Sequence, residues 1–400
     1  MPAVGGSAVN ISIKLSKKKQ VKMTHPSIYT LENIVQAYKG KIALDIPHLN
    51  IAPGSITGLM GPNGSGKSTL LKLLAFVSSP VKGSLLFNGK VEAPFSPKVR
   101  FDITLLTQTP YLLKRTVQEN ITHGLKIRGK AHGRKDPKVC KQVREVMARV
   151  GLSFEEFTHR MDYELSGGEA QRVAMAARLI LKPRVLLLDE PTASVDVNSA
   201  TLIRRAALYA RKTWGTTIII ASHDHEWLQG ACDNLFQLYH GKIFQAGSKN
   251  IIPGPFVQDG QGFFHPSSTT EAEQTLRVTA PPHDKASALL KTDHIRITAE
   301  EYPPKEEKPK KDSNGSPEIV AAKPHIQEMP GKLEQKEYHT IRGEVLRLMG
   351  NKKNGYIILA IKVNEMNFTI RANPEAVLQS KLLPGSRVML TYALNDIEWI

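Results

Sequence analysis

Cysteine is almost missing from this chain: Cys140 and Cys232 are the only two among 400 residues. Two isolated thiols build no disulfide framework, which points to a reducing, cytoplasmic compartment. No apolar run approaches the roughly 18 residues that a membrane-spanning helix requires. The first 25 residues carry lysines with no continuous apolar core behind them, so no cleaved secretion signal is expected. Acidic residues are outnumbered, 37 Asp and Glu against 54 Lys and Arg, for a net charge of +17. That excess suits an anionic partner. No RRM, zinc-finger or helix-turn-helix pattern accompanies it, however, so a nucleic-acid partner is not expected.

What is present is arranged around one stretch, Gly61-Pro62-Asn63-Gly64-Ser65-Gly66-Lys67-Ser68-Thr69. It reads G-x-x-x-x-G-K-[ST], with an apolar strand before it (Ile56 to Met60) and an apolar helix after it (Leu70-Leu71-Lys72-Leu73-Leu74). Glycines let the backbone curl until successive N–H groups face inward, a nest for phosphate at a helix N-terminus. Lys67 then sets a positive charge at the β- and γ-phosphates of ATP, and the Ser68 hydroxyl is placed to ligate Mg²⁺.

Around this loop, short apolar strands alternate with helical patterns. Strands are expected at residues 28–31, 42–46, 83–87 and 103–107, with Tyr38 between the first two. An aromatic there either stacks on adenine or is an ordinary half-buried strand residue. Val139, Val143, Val146, Met147 and Val150 recur at helical spacing, marking a helical insertion. Ser166 and Glu169 form a capping box at the start of the next helix, leaving the N–H groups of Gly167 and Gly168 to face an anion. Val185-Leu186-Leu187-Leu188 and Thr217-Ile218-Ile219-Ile220 read as strands buried on both faces, hence a parallel, doubly wound sheet. Gln108, Asp189, Glu190 and His223 fall at the carboxyl ends of such strands, where ligand chemistry collects. Asp189 can hold Mg²⁺ opposite Ser68. Glu190 can polarise a water for in-line attack on the γ-phosphate, His223 can contact that phosphate, and Gln108 can reach both metal and water.

The loop Gly61 to Thr69, Gln108, the run Leu165-Ser166-Gly167-Gly168-Glu169-Ala170-Gln171-Arg172, the strand ending in Asp189-Glu190-Pro191, Ser194-Val195-Asp196 and His223 together resemble an ABC-transporter ATP-binding subunit. The resemblance covers residues 28–247 and implies a P-loop NTPase fold with a helical subdomain at about 109–164. It further implies that Ser166, Gly167 and Gly168 serve the nucleotide held by a second copy, in a homodimer of two chains sandwiching two ATP molecules, that Asp196 belongs to the nucleotide-binding set, and that the adenine-stacking aromatic is Tyr38. Partners implied are integral membrane permease subunits and, indirectly, a periplasmic or extracellular substrate-binding protein, with this chain peripheral on the cytoplasmic face of the membrane. Thr107-Gln108-Thr109-Pro110-Tyr111-Leu112-Leu113-Lys114-Arg115 and Pro191-Thr192-Ala193-Ser194-Val195-Asp196 are similar to the ATPase subunits of tungstate importers. That likeness implies uptake of an oxyanion, tungstate or molybdate. The same engine serving a sugar, polyamine or phosphate importer stays open, as does a soluble ABC ATPase acting on nucleic acid.

The remainder divides by composition. Residues 1–27 lack periodicity and are expected to be a flexible tail. Residues 248–337, with Pro303-Pro304-Lys305-Glu306-Glu307-Lys308-Pro309, are expected to be a linker too charged and proline-rich for a core. Residues 338–400 read as five short strands and one helix, a small all-β barrel. That segment resembles the OB-like (Mop-like) molybdate/tungstate-binding barrel, on Gly343-Glu344-Val345 and Leu383-Pro384-Gly385-Ser386-Arg387-Val388. The family's Ser-Ala-Arg-Asn run is replaced here by Tyr338-His339-Thr340-Ile341-Arg342, and its last-strand lysine is missing near Tyr392. Two readings therefore stand side by side: a barrel holding tungstate or molybdate, or one that dimerises or senses without ligand.

Overall fold

The computed structural model describes residues 27–130, 136–246, 248–260, 262–266, 275–284, 286–300, 337–351 and 356–400. The expected N-terminal tail, apart from residue 27, and the proline- and charge-rich run around 303–311 lie outside them. The chain divides after Ala246 into two compact bodies.

In the first body, the alternation of side chains along the buried strands decides the architecture. A six-stranded sheet runs in the order Lys242–Gln245, Asn234–Tyr239, Ile56–Met60, Thr217–Ala221, Val185–Asp189, Ile103–Leu106. Four of its five pairings are parallel, and the fifth, at the Lys242–Gln245 edge, is antiparallel. Val185–Asp189 and Thr217–Ala221 are buried throughout, as strands covered on both faces must be. Leu186, Leu188, Ile218 and Ile220 pack on one face with Val143, Val173, Leu179 and Ala206 from the helices. Val185, Leu187, Ile219 and Ala221 point the other way, onto Leu70, Leu71, Leu73 and Leu74. That second core also receives Tyr29, Leu31 and Ile46 from a four-stranded antiparallel sheet built on the hairpin Tyr29–Tyr38 and Lys41–Ile51. The helical insertion comprises Val117–Ile127, Pro137–Arg149 and Phe154–Phe157. Thr116 and Glu119 fix its start with a capping box of their own. The first body is thus a parallel, doubly wound α/β sheet with a glycine loop at the end of Ile56–Met60 and a helical insertion, as the sequence predicts.

The second body corrects two expectations. Residues 249–299 are not a linker: they supply strands Lys249–Pro253, Val257–Asp259, Gly262–His265, Leu276–Val278, Ser287–Lys291 and Arg296–Ala299. Three of these pair directly with the C-terminal segment or with a strand that does: Ser287–Lys291 pairs with Ile397–Trp399, Lys249–Pro253 pairs with Ser287–Lys291, and Arg296–Ala299 pairs with Arg387–Ala393. Ile252, Leu276, Val278, Leu290, Ile295 and Ile297 share one core with Ile341, Val345, Leu359, Ile370 and Leu390. Short apolar pairs at strand spacing carry this assembly, and the charge of the later segment masked them. Phe256 and Phe263 pack against this second core. The all-β unit therefore draws on residues 249–299 as well as 338–400.

Candidate functional site

Backbone conformation shapes the glycine loop. Gly61, Gly64 and Gly66 have φ of 147°, 77° and 110°, a region that L side chains rarely adopt. A Cβ on Gly61 would lie 2.1 Å from the Leu238 carbonyl oxygen, and one on Gly66 would lie 2.7 Å from that of Ala43. Gly66 caps the helix Lys67–Leu74 in the left-handed conformation. Lys67 is buried, and its Nζ donates to the carbonyls of Gly61 (2.7 Å) and Pro62 (3.2 Å). Burial lowers the Lys67 pKa, against the opposing pull of Glu190 and Asp189.

Three strand ends then bring four predicted side chains together. Glu190 takes φ of 46°, a left-handed conformation costing about 1 kcal/mol or more for a residue with a Cβ. Its N–H donates to Ala221 O at 2.9 Å, and its Oε2 accepts from the His223 N–H at 3.2 Å. Oε1 sits 3.7 Å from Lys67 Nζ and 3.2 Å from His223 Nε2, aligned for a hydrogen bond with neither. His223 Nε2 lies 3.0 Å from Asn63 Oδ1 and 3.4 Å from Lys67 Nζ. Asn63, Lys67, Glu190 and His223 thus form one cluster over the loop.

Asp189 is buried, and its Oδ1 has no hydrogen-bond partner among the described residues. An orphaned buried carboxylate oxygen is costly unless a cation meets it. Ser68 and Gln108 are exposed. No group of three or more His, Cys, Asp or Glu suited to a metal occurs among the described residues. One carboxylate, one hydroxyl and one amide oxygen are hard donors of the kind Mg²⁺ takes when phosphates and water complete its shell, so the residues fit that ion.

Other predicted residues stand apart from this cluster. Ser166, with Gly167 and Gly168, opens the helix Gly167–Leu179: Ser166 N donates to Glu169 Oε2 at 2.8 Å and Ser166 Oγ accepts from Glu169 N at 3.3 Å. No hydrogen bond or ion pair among the described residues joins this tip to the glycine loop of the same chain. Asp196 caps the helix Val197–Trp214 by accepting from Ser199 N at 2.8 Å. Its Oδ2 would stand 3.0 Å from a Cβ on Gly168, so it borders the Ser166 tip. Tyr38 ends its strand 49% exposed, which leaves its ring available for stacking. Ser65 and Thr69 belong to the loop wall, Ser65 buried and Thr69 half-buried. Sequence reasoning missed the Asn63–His223 contact and passed over Gln171, which is 2% exposed in the middle of the motif. Position 171 is two past Glu169, on the inward side of the helix, and that spacing was the available signal.

The ABC transporter family profile matches residues 44–193. The chain is 37% identical over 217 residues to the tungstate uptake system ATP-binding protein of Peptoclostridium acidaminophilum, covering 54% of this chain and 97% of that one. The chain belongs to the ABC-transporter ATP-binding family. It is also 34% identical over 226 residues to a spermidine/putrescine import ATP-binding protein of Mesoplasma florum, covering 56% of this chain and 63% of that relative. A solved structure of an ABC-transporter component from Clostridium perfringens aligns with a TM-score of 0.48 at 31% identity, over 55% of this chain and 87% of that one. As an ABC ATPase, the chain hydrolyses ATP in the service of transport. No helix among the described residues is long and apolar enough to cross a membrane.

Proposed function

We propose that this ABC ATPase energises uptake of an oxyanion, tungstate or molybdate, as a homodimer bound to permease subunits on the cytoplasmic face of the membrane. An external substrate-binding protein feeds the permease. The supporting observation is the 37% identity that runs along 97% of a tungstate-uptake ATPase. Within the site, the loop amides and Lys67 hold the phosphates, and Tyr38 stacks on the adenine. Ser68, Asp189 and Gln108 would hold Mg²⁺, which would neutralise charge on the phosphate oxygens. Glu190 accepts the proton of the attacking water, and His223 orients the γ-phosphate. Ser166, Gly167, Gly168 and Asp196 serve the nucleotide of the second chain. That division accounts for the lack, among the described residues, of a hydrogen bond or ion pair between the Ser166 tip and its own glycine loop.

A polyamine substrate is the second reading, supported by the spermidine/putrescine relative. Disrupting the gene in its own host and measuring accumulation of tungstate, molybdate and spermidine separates the two. Loss of tungstate or molybdate uptake alone is expected; loss of spermidine uptake alone would transfer the assignment to the polyamine. The second body is proposed to bind the oxyanion as a regulator. Calorimetry on the full chain with tungstate, molybdate and sulfate tests it, binding of only the first two being the expected result.

A further inference from the structure

Gln171 lies in the helix Gly167–Leu179 with 2% of its surface exposed. Its Nε2 donates to the Pro191 carbonyl at 3.3 Å and reaches the Thr107 carbonyl at 3.5 Å, the limit of a hydrogen bond. Pro191 directly follows Glu190, and Thr107 directly precedes Gln108. Its Oε1, by contrast, has no hydrogen-bond partner among the described residues. A buried acceptor left unpaired is unfavourable, so packing by itself would favour an apolar side chain of this length. What the amide adds is a pair of donors directed at two loops that bracket the reacting groups.

The helix carrying Gln171 is held to the same region a second time, by Arg178 Nε donating to Leu105 O at 3.2 Å. At its other end it begins with the Ser166 capping box, and Gly168 lies so close to Asp196 that a Cβ there would stand 3.0 Å from Oδ2. A rigid helix therefore joins the tip at Ser166 to the carbonyls beside Glu190 and Gln108. Any displacement of the tip must be taken up at those two carbonyls or break the amide contacts.

We propose that Gln171 is a positioning residue that couples engagement of nucleotide at Ser166, Gly167 and Gly168 to the placement of Glu190 and Gln108 in the same chain. The coupling rests on the homodimer reading above, because the nucleotide at the Ser166 tip belongs to the partner. Each site then senses whether its twin is filled, and hydrolysis becomes cooperative in ATP.

The test uses the purified full chain and the variant Gln171→Met, which keeps length and helix propensity and removes both donors. Expected are ATP affinity within about twofold of wild type, kcat lower by roughly tenfold to a hundredfold through misplacement of Glu190, and a Hill coefficient for ATP falling toward 1. A merely structural residue would lower the melting temperature while leaving kcat per folded molecule and the Hill coefficient unchanged, and that result overturns the proposal. Should Gln171→Met not fold, Gln171→Asn keeps the polar amide and withdraws it by one methylene, with the same expected and overturning results. A wild type whose specific activity is independent of protein concentration and whose Hill coefficient is 1 refutes the dimer and the coupling with it. A cooperative wild type beside an equally cooperative, fully active Gln171→Met refutes the coupling alone.

Discussion

Glu190 meets two demands that pull on one carboxylate. Oε2 is engaged by the His223 N–H, which fixes the side chain, while Oε1 stays unaligned between Lys67 and His223, where the proposed mechanism has it receive a proton. Glu190→Gln keeps the shape and the Oε1-type acceptor but removes the basicity. It is expected to bind ATP, to lose hydrolysis by about 10²-fold or more, and to accumulate as a closed dimer by size exclusion in ATP. Turnover at the wild-type rate would remove Glu190 from the role of base. Cys232 offers a check of a different kind. Burial pushes its thiol up to about 12, and its sulfur packs where a Cβ on Gly58 would stand 2.8 Å away. At pH 8 only on the order of one thiol in ten thousand is ionised, so maleimide labelling of the native chain should not exceed one per molecule. The residual rate at Cys232 should climb about tenfold per pH unit, since the thiolate is the nucleophile and its fraction rises with pH until about 12. Rapid modification of both thiols at pH 8 would contradict this.

At the scale of elements, the glycine loop is where local sequence and tertiary packing specify the same backbone. Gly61 needs both its φ of 147° and the space against Leu238, so Gly61→Ala meets a backbone oxygen at 2.1 Å that cannot move aside as a side chain would. The loop must open, and ATP binding is expected to fall by at least tenfold with a loss of stability of about 1–3 kcal/mol. Equilibrium binding of a fluorescent ATP analogue and a thermal melt check both, and unchanged binding would show that the nest tolerates the shift. Elements of this kind were legible in the sequence because their signals are local. The G-x-x-x-x-G-K-[ST] spacing, the S-x-x-E capping box and the two unbroken apolar runs each fix a backbone within a few residues. The Asn63–His223 contact and the hold of Gln171 on Pro191 and Thr107 join positions 160, 20 and 64 residues apart, and no local pattern carries such pairings.

For the whole molecule, the decisive fact is where the second body begins. Composition made residues 248–337 read as one linker, because the charge and proline of its later part dominate any average over the segment. The fold uses its earlier part differently: Ile252, Leu276, Val278, Leu290, Ile295 and Ile297 each lie at 5% exposure or less against the C-terminal strands. Fully burying such side chains is worth about 1.5–3 kcal/mol apiece, so removing all six costs roughly 10 kcal/mol, comparable to the whole stability of a small domain. Deleting them also strips Arg387–Ala393 of its partner Arg296–Ala299 and Ile397–Trp399 of its partner Ser287–Lys291, exposing unpaired edges. A fragment of residues 338–400 is therefore expected to lack a cooperative thermal transition and to bind a hydrophobic dye, whereas residues 248–400 should melt cooperatively. Circular dichroism melts of the two fragments decide the matter: a cooperative transition in 338–400 at the temperature of the longer fragment would restore the short barrel and return residues 249–299 to the status of a linker.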